Sequence, residues 1–410
     1  QKLSELVVLR DSINIGRVAQ EKALLANYKA ISARQSSSLV HKSAIQQATK
    51  RINPDWYQRH SEFGVRKKLQ QQRHQLPLFP TTSIGSFPQT AEIRQLRSAF
   101  KHARISSDVY EAGIKAYIDD CIATQENLEL DILVHGEPER NDMVEFFADF
   151  LSGYSVTQYA WVQSYGSRCV KPPIIYGDIQ RIAPMTVKWA AYANQRTSKS
   201  VKGMLTGPVT MMKWSFVRDD QPLETTCKQL ALAIREEVLE LESQGVEIIQ
   251  VDEAALREAA PLKTSLTDDY YRWAIQCFRL AVSSVSDETQ IHTHMCYSAF
   301  EGIINHIAQM DADVITIETS RSQMTLLDAF ETSRYVNDIG PGVYDIHSPN
   351  VPSSDHIKEL IRKATQYLTK EQIWINPDCG LKTRNWSEVK SALQNMVSAA
   401  KELRQEFAQA

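Results

Sequence analysis

Eight short apolar runs, the helical patterns between them and a polar residue closing every run predict an α/β protein. The architecture they predict is a (β/α)8 barrel with loop insertions, preceded by a helical linker. In chain order the runs are "PTTSIGS" (80–86), "DILVHGE" (131–137), "VKGMLTGP" (201–208), "VEIIQVDE" (246–253), "TQIHTHMC" (289–296), "DVITIET" (313–319), "GVYDIHS" (342–348) and "QIWINPDCG" (372–380). Most are rich in Val, Ile or Thr, and all are of strand length. Between them lie stretches such as "LALAIREEVLELESQG", whose apolar residues recur every three or four positions and stop at a Gly. That is a helix with its terminator.

The polar closures give the barrel a working end. They are Ser86, Glu137, Thr206, Asp252, Cys296, Glu318, His347 and Cys379. Active sites of such barrels lie at the C-terminal mouth of the strands, so eight polar ends in register predict one functional rim. The longest connection, from Glu137 to Val201, contains "YAWVQSYGSRCVKPPIIYGDI" and reads as a lid or binding wall. Another, "TGPVTMMKWSFVRDD", carries Trp214 toward the mouth.

Charge divides the chain unevenly. Residues 1–75 hold 14 Lys and Arg against 5 Asp and Glu, a net +9, whereas the remainder is net −12. This basic arm reads either as a solvated helical linker or as a surface for an anionic tail or neighbouring domain. Aromatic residues are not interleaved with its basic ones, and nothing in it resembles a nucleic-acid-binding module. No apolar run reaches the roughly 18–20 residues of a membrane span, and no signal peptide is visible. Six scattered cysteines lack the dense spacing of a disulfide scaffold, which predicts reduced thiols and a cytoplasmic location.

The segment "QIHTHMCYS" (290–298) is the most informative. In a strand, His292, His294 and Cys296 fall on one face. Three strand ends on one rim give His294 and Cys296, Glu318 and Cys379, a mixed nitrogen, sulfur and oxygen set that suits zinc. His292 lies one pleat deeper and reads as a hydrogen-bonded core group. Two thiolates make zinc a weaker Lewis acid, which disfavours water activation. They favour instead the binding of a substrate thiol that stays nucleophilic, so thiol alkylation is the predicted reaction class.

The motifs "PTTSIGSFPQT", "LVHGEPERNDMVE", "QSYGSRCVKPP", "VKGMLTGPVT", "QIHTHMCY", "DADVITIETSRS", "GPGVYDIHSPNVPS" and "WINPDCGLKTR" together resemble those of cobalamin-independent methionine synthases, over residues 76–405. The resemblance implies a zinc-bearing catalytic barrel at 76–410. It implies transfer of a methyl group from 5-methyltetrahydropteroyl-triglutamate to homocysteine, giving methionine. It further implies that residues 1–75 are the last helix of an N-terminal barrel plus the interdomain linker, that barrel being the expected partner.

Residue by residue, the family's zinc ligands fall on His294, Cys296, Glu318 and Cys379. Its homocysteine site falls on Ile84, Gly85, Ser86, Glu137 and Asp252, and its folate contacts on Arg168, Cys169, Trp214 and Glu258. Its proton donor falls on His347. Ala254 stands where the family usually has Pro.

Overall fold

The computed structural model describes residues 2–164, 169–296, 302–333 and 335–409. At its centre is a curled, six-stranded, wholly parallel sheet. Its strands, in both chain and spatial order, are Leu133–Val134, Val201–Thr206, Ile248–Asp252, Gln290–Met295, Val314–Ile317 and Asp338–Pro341. Every residue of these strands is buried. Parallel strands covered on both faces need apolar residues on both, so their sequences read as continuous apolar runs rather than alternations. Helices such as Leu223–Ser243, Thr267–Val282, Ser354–Ala364 and Trp386–Gln409 connect or follow them, each burying one apolar face.

The first and eighth predicted runs are present as extended segments rather than ladder strands. Parallel bridges join Thr81 to Ile375, Ser86 to Gly136, Ile339 to Ile373 and Gly342 to Asn376. The Ile132 N–H donates to the Thr81 carbonyl at 3.1 Å, and the Ile375 N–H donates to Pro80 at 2.9 Å. Pro80 and Pro377 have no N–H to give, which limits how far these segments can pair.

The seventh run is misplaced by the sequence. The paired strand is Asp338–Pro341, upstream of 342–348, in register with Val314–Ile317. Pairing continues through the Gly342 N–H to Ile317 O, the Val343 N–H to Asn376 O and the Asp378 N–H to Tyr344 O. From Asp345 the chain turns, with the Asp345 carboxylate accepting the His347 N–H at 2.9 Å. The sequence reading followed the β-branched and aromatic side chains of "VYDI", whereas the ladder uses Asp, Gly and Pro, which β-propensity disfavours.

The long connection after Glu137 carries two small antiparallel ladders, Leu151–Ser155 with Ile174–Arg181 and Val162–Gln163 with Cys169–Val170. No helix among the described residues is long and apolar enough to cross a membrane.

The basic arm splits into two parts. Helices Lys2–Asn14 and Glu21–Ser36 bury none of their residues. Residues 59–74, by contrast, are built into the sheet's N-terminal edge. Arg66 is 0% exposed, with its Nε 2.8 Å from Asp313 and an Nη 2.8 Å from Asp311. Arg59 and Gln70 reach the same Asp313 carboxylate, each at 3.1 Å, and Lys67 pairs with Asp338 at 2.7 Å. This half of the arm is neither a solvated linker nor a free cationic surface, because its charge is used on acids of the sheet itself.

A buried carboxylate that loses its cation keeps its desolvation cost. Arg66→Met is therefore expected to destabilise the fold by about 3 kcal/mol, the low end of the range because Arg59 and Gln70 remain on Asp313. Urea unfolding measures this, and an unchanged midpoint would show that the cluster contributes nothing.

Candidate metal centre and substrate cavity

The strand Gln290–Met295 delivers His294 to the C-terminal rim. Its Nδ1 lies 2.9 Å from Thr316 Oγ1 and 3.1 Å from the Thr316 carbonyl, which can only accept, so Nδ1 carries the proton. That leaves the Nε2 lone pair facing Cys296 Sγ at 3.1 Å, while Cys296 Sγ lies 3.3 Å from Cys379 Sγ. The three ligand atoms all fall within 4.8 Å of one another. A carbonyl fixing the tautomer and orientation of an imidazole is the usual support for a metal-bound histidine.

Electrostatics point the same way. Burial, with the Cys379 sulfur beside it, pushes the Glu318 carboxyl up to about 8 against the pull of His294. Cys379 and burial raise the Cys296 thiol well above its usual range. For His294 burial disfavours the charged form, yet Cys379, Asp252 and Glu318 raise it overall. Acidic groups held this close hinder one another's ionisation, and a cation among them would reverse that. The donor set suits a borderline-soft divalent metal.

His292 is a core group, as its depth predicts. It is 0% exposed, its Nε2 lies 2.9 Å from Gln290 Oε1, and its ring meets Trp374 edge-on at 4.9 Å.

A cavity of about 590 Å³ opens over this cluster. His294, Cys296 and Cys379 line it, together with the predicted amino-acid site of Ile84, Gly85, Ser86, Glu137 and Asp252. The predicted pterin contacts Trp214 and Glu258 line it too, and the Trp214 indole N–H donates to the Glu258 carboxylate. Trp214 follows the short helix Pro208–Lys213, whose first turn is fixed by the buried Glu253 carboxylate accepting the Val209 and Thr210 N–H groups at 3.0 and 2.9 Å.

Glu137 adopts φ 57°, the left-handed region that non-glycine residues rarely occupy. The turn brings its carboxylate against Gly85, where an added Cβ would meet Glu137 Oε1 at 2.8 Å. A side chain at position 85 would thus displace the Glu137 carboxylate from this place.

Three predicted residues stand apart. Cys169 is exposed and outside the cavity lining, although Val170 and Lys171 beside it are within. Glu318 is outside the lining too, and is tied to the cluster by its charge coupling to Cys379 and His294. His347 is half-buried on the loop after Asp338–Pro341, also outside the lining. Arg168 lies outside the described residues.

The sequence reading missed Arg140, Lys202 and Gln250. Arg140 is buried beneath the rim and holds Glu137 at 3.1 Å, Glu139 at 2.8 Å and the Met204 carbonyl at 2.9 Å. Lys202 and Gln250 lie inside the curl of the sheet, and burial pushes Lys202 down to about 7 although Asp252 and Glu137 pull it back up. Burial likewise pushes Asp252 up to about 7. The signal was present: a lysine within an apolar strand, sharing strand parity with Thr206, points to the interior.

Residues 79–402 match the family model described as the catalytic domain of cobalamin-independent synthase. The chain belongs to that family. It is 56% identical over 406 residues to a 5-methyltetrahydropteroyltriglutamate–homocysteine methyltransferase of Xylella fastidiosa, covering 99% of this chain and 53% of the relative. The chain therefore spans about half the length of that curated relative.

Among solved structures, a B12-independent methionine synthase from Shewanella, in complex with selenomethionine, superposes with a TM-score of 0.68 at 19% identity. That match covers 81% of this chain and 100% of the other. A putative B12-independent enzyme from Listeria monocytogenes gives a TM-score of 0.65 at 16% identity, over 80% and 98% of the two chains. These two likenesses bear on the fold: an α/β architecture shared with other cobalamin-independent synthases.

Proposed function

We propose that this chain transfers the methyl group of 5-methyltetrahydropteroyl-triglutamate to the thiol of homocysteine, giving methionine, at a zinc site formed by His294, Cys296, Glu318 and Cys379. The observation that carries the reading is the convergence of an imidazole and two thiols on a cavity that is also lined by the Glu137, Asp252 and Glu258 carboxylates and the Trp214 indole. In the same reading, the bridged segments around Thr81 and Ile375 complete an eight-stranded barrel spanning 76–410. Residues 1–75 join it to an N-terminal barrel, and the protein is cytoplasmic.

Zinc, when bound, holds the substrate thiol deprotonated yet nucleophilic. The chain's own residues do the rest. Glu137 and Asp252 take the ammonium of homocysteine, and the backbone at Ile84, Gly85 and Ser86 takes its carboxylate. The Trp214 face stacks the pterin, and Glu258 fixes its polar edge beside Arg168 and Cys169. As the S–CH3 bond forms the N–CH3 bond breaks, the electron pair remains on the pterin nitrogen, and His347 supplies the proton that nitrogen takes up. An amine is a poor leaving group, so acid catalysis is needed there most.

Adding homocysteine to the zinc-loaded chain is expected to place a further sulfur in the zinc shell, seen by X-ray absorption, and to release about one proton per site near neutral pH. An unchanged spectrum would sink the thiol-activation reading. A changed spectrum with no methionine formed would identify the chain, half as long as its relative, as a zinc- and homocysteine-binding unit without turnover.

A further inference from the structure

Inside the curl of the sheet, directly behind the cavity, lies a polar chain that the proposed reaction leaves unexplained. Lys202 Nζ is 2.8 Å from the Ser83 carbonyl and 2.6 Å from Gln250 Oε1. Gln250 Nε2 in turn is 3.0 Å from the Ile84 carbonyl and 2.7 Å from Asp252 Oδ1. Both residues are 0% exposed. The sheet register explains why they meet: Lys202 lies opposite Ile248 on the next strand, so Gln250 is two residues further along, on the same interior face.

The directions of these bonds are fixed at both ends. The Ser83 and Ile84 carbonyls can only accept, so Lys202 donates to the first and the Gln250 amide to the second. The Gln250 oxygen must then face Lys202, and its NH2 must face Ile84 and Asp252. A flipped amide would turn its oxygen on the Ile84 carbonyl and the Asp252 carboxylate, leaving acceptors against acceptors at a fully buried residue.

We infer that Lys202, acting through Gln250, is a positioning device for the amino-acid subsite: it sets the amide that ties the Ile84 backbone to the Asp252 carboxylate. The inference rests on the reading of Ile84–Ser86 and Asp252 as the homocysteine site. Neither Lys202 nor Gln250 lines the cavity, so neither touches substrate. Their effect falls on the ammonium side of the ligand, because Asp252 is the side chain they orient; Gln250 meets Ile84 at its carbonyl, whereas a ligand carboxylate takes backbone N–H groups.

Isothermal titration of the zinc-loaded chain with L-homocysteine and with 4-mercaptobutanoate, the same thiol acid without the amino group, tests this. Lys202→Met removes the donor that sets the amide. Gln250→Glu keeps an acceptor for Lys202 while abolishing both donations, and so decides the matter if the lysine variant fails to fold. Each variant is expected to bind homocysteine about tenfold more weakly and 4-mercaptobutanoate unchanged, with zinc content intact. The double variant should be no worse than either single one, since both act on one amide.

Homocysteine affinity equal to that of the starting chain in the folded variants would overturn the inference. Equal losses for both ligands would also overturn it, by showing a general structural role. Failure of the unsubstituted chain to bind homocysteine would instead sink the subsite reading itself.

Discussion

Cys379→Ser is expected to weaken zinc retention by more than about a hundredfold, beyond the 10–100-fold typical of losing a supporting partner around a metal. The substitution exchanges a soft thiolate for a hydroxyl that hardly ionises at neutral pH. It also removes the sulfur that stands 3.3 Å from Cys296, so two donors are perturbed at once. His294→Asn should lose the metal as well, because the Nε2 that faces Cys296 disappears while the Thr316 contact can be kept.

His292→Asn supplies the control. Its ring lies one pleat deeper, against Gln290 and Trp374, and its loss should cost packing but not metal. Elemental analysis after dialysis against a graded chelator measures all three. Retention in His294→Asn with loss in His292→Asn would exchange their roles and undo the assignment.

The strand-end rule accounts for how much of this site could be read in advance. Parallel strands leave their side-chain chemistry at one end, so Glu137, Asp252, His294, Cys296 and Cys379 could be placed on one rim from their positions in apolar runs alone. The cavity collects all five.

What escaped the reading did so for identifiable reasons. Asp338–Pro341 pairs as a strand despite residues that local propensity disfavours, because its neighbour Val314–Ile317 and the core override that preference. Arg66 looked like one cation among many in a basic arm, and only the tertiary fold shows Asp313 beneath it. Lys202 and Gln250 belong to different strands, and their meeting depends on a register that no single strand specifies. His347 was read as a strand end. It lies instead on a loop, tied through Asp345 to Arg321, whose Nε is 3.0 Å from that carboxylate.

That loop carries the second large effect. His347→Asn is expected to lower the rate of methyl transfer by ~10²–10⁴-fold, the usual cost of losing a general acid. Asp345 accepts the His347 N–H and pairs with Arg321, which lies three residues beyond Glu318, so the imidazole is carried on a segment fastened to the same rim as the proposed metal ligands. A proton needed only as the N–CH3 bond breaks acts in the transition state. Its removal should therefore reduce the rate constant without comparably raising the donor concentration at half-saturation.

Trp214→Ala should do the reverse. In the proposed site, stacking against the pterin is already present in the ground state, so half-saturation should rise by roughly tenfold while the saturated rate changes little. Single-turnover mixtures with the chain in excess over homocysteine, run over a range of donor concentrations that exceed the chain, separate the two parameters. If His347→Asn leaves the saturated rate unchanged and raises only half-saturation, His347 is a binding residue. The proton must then come from another group at the mouth.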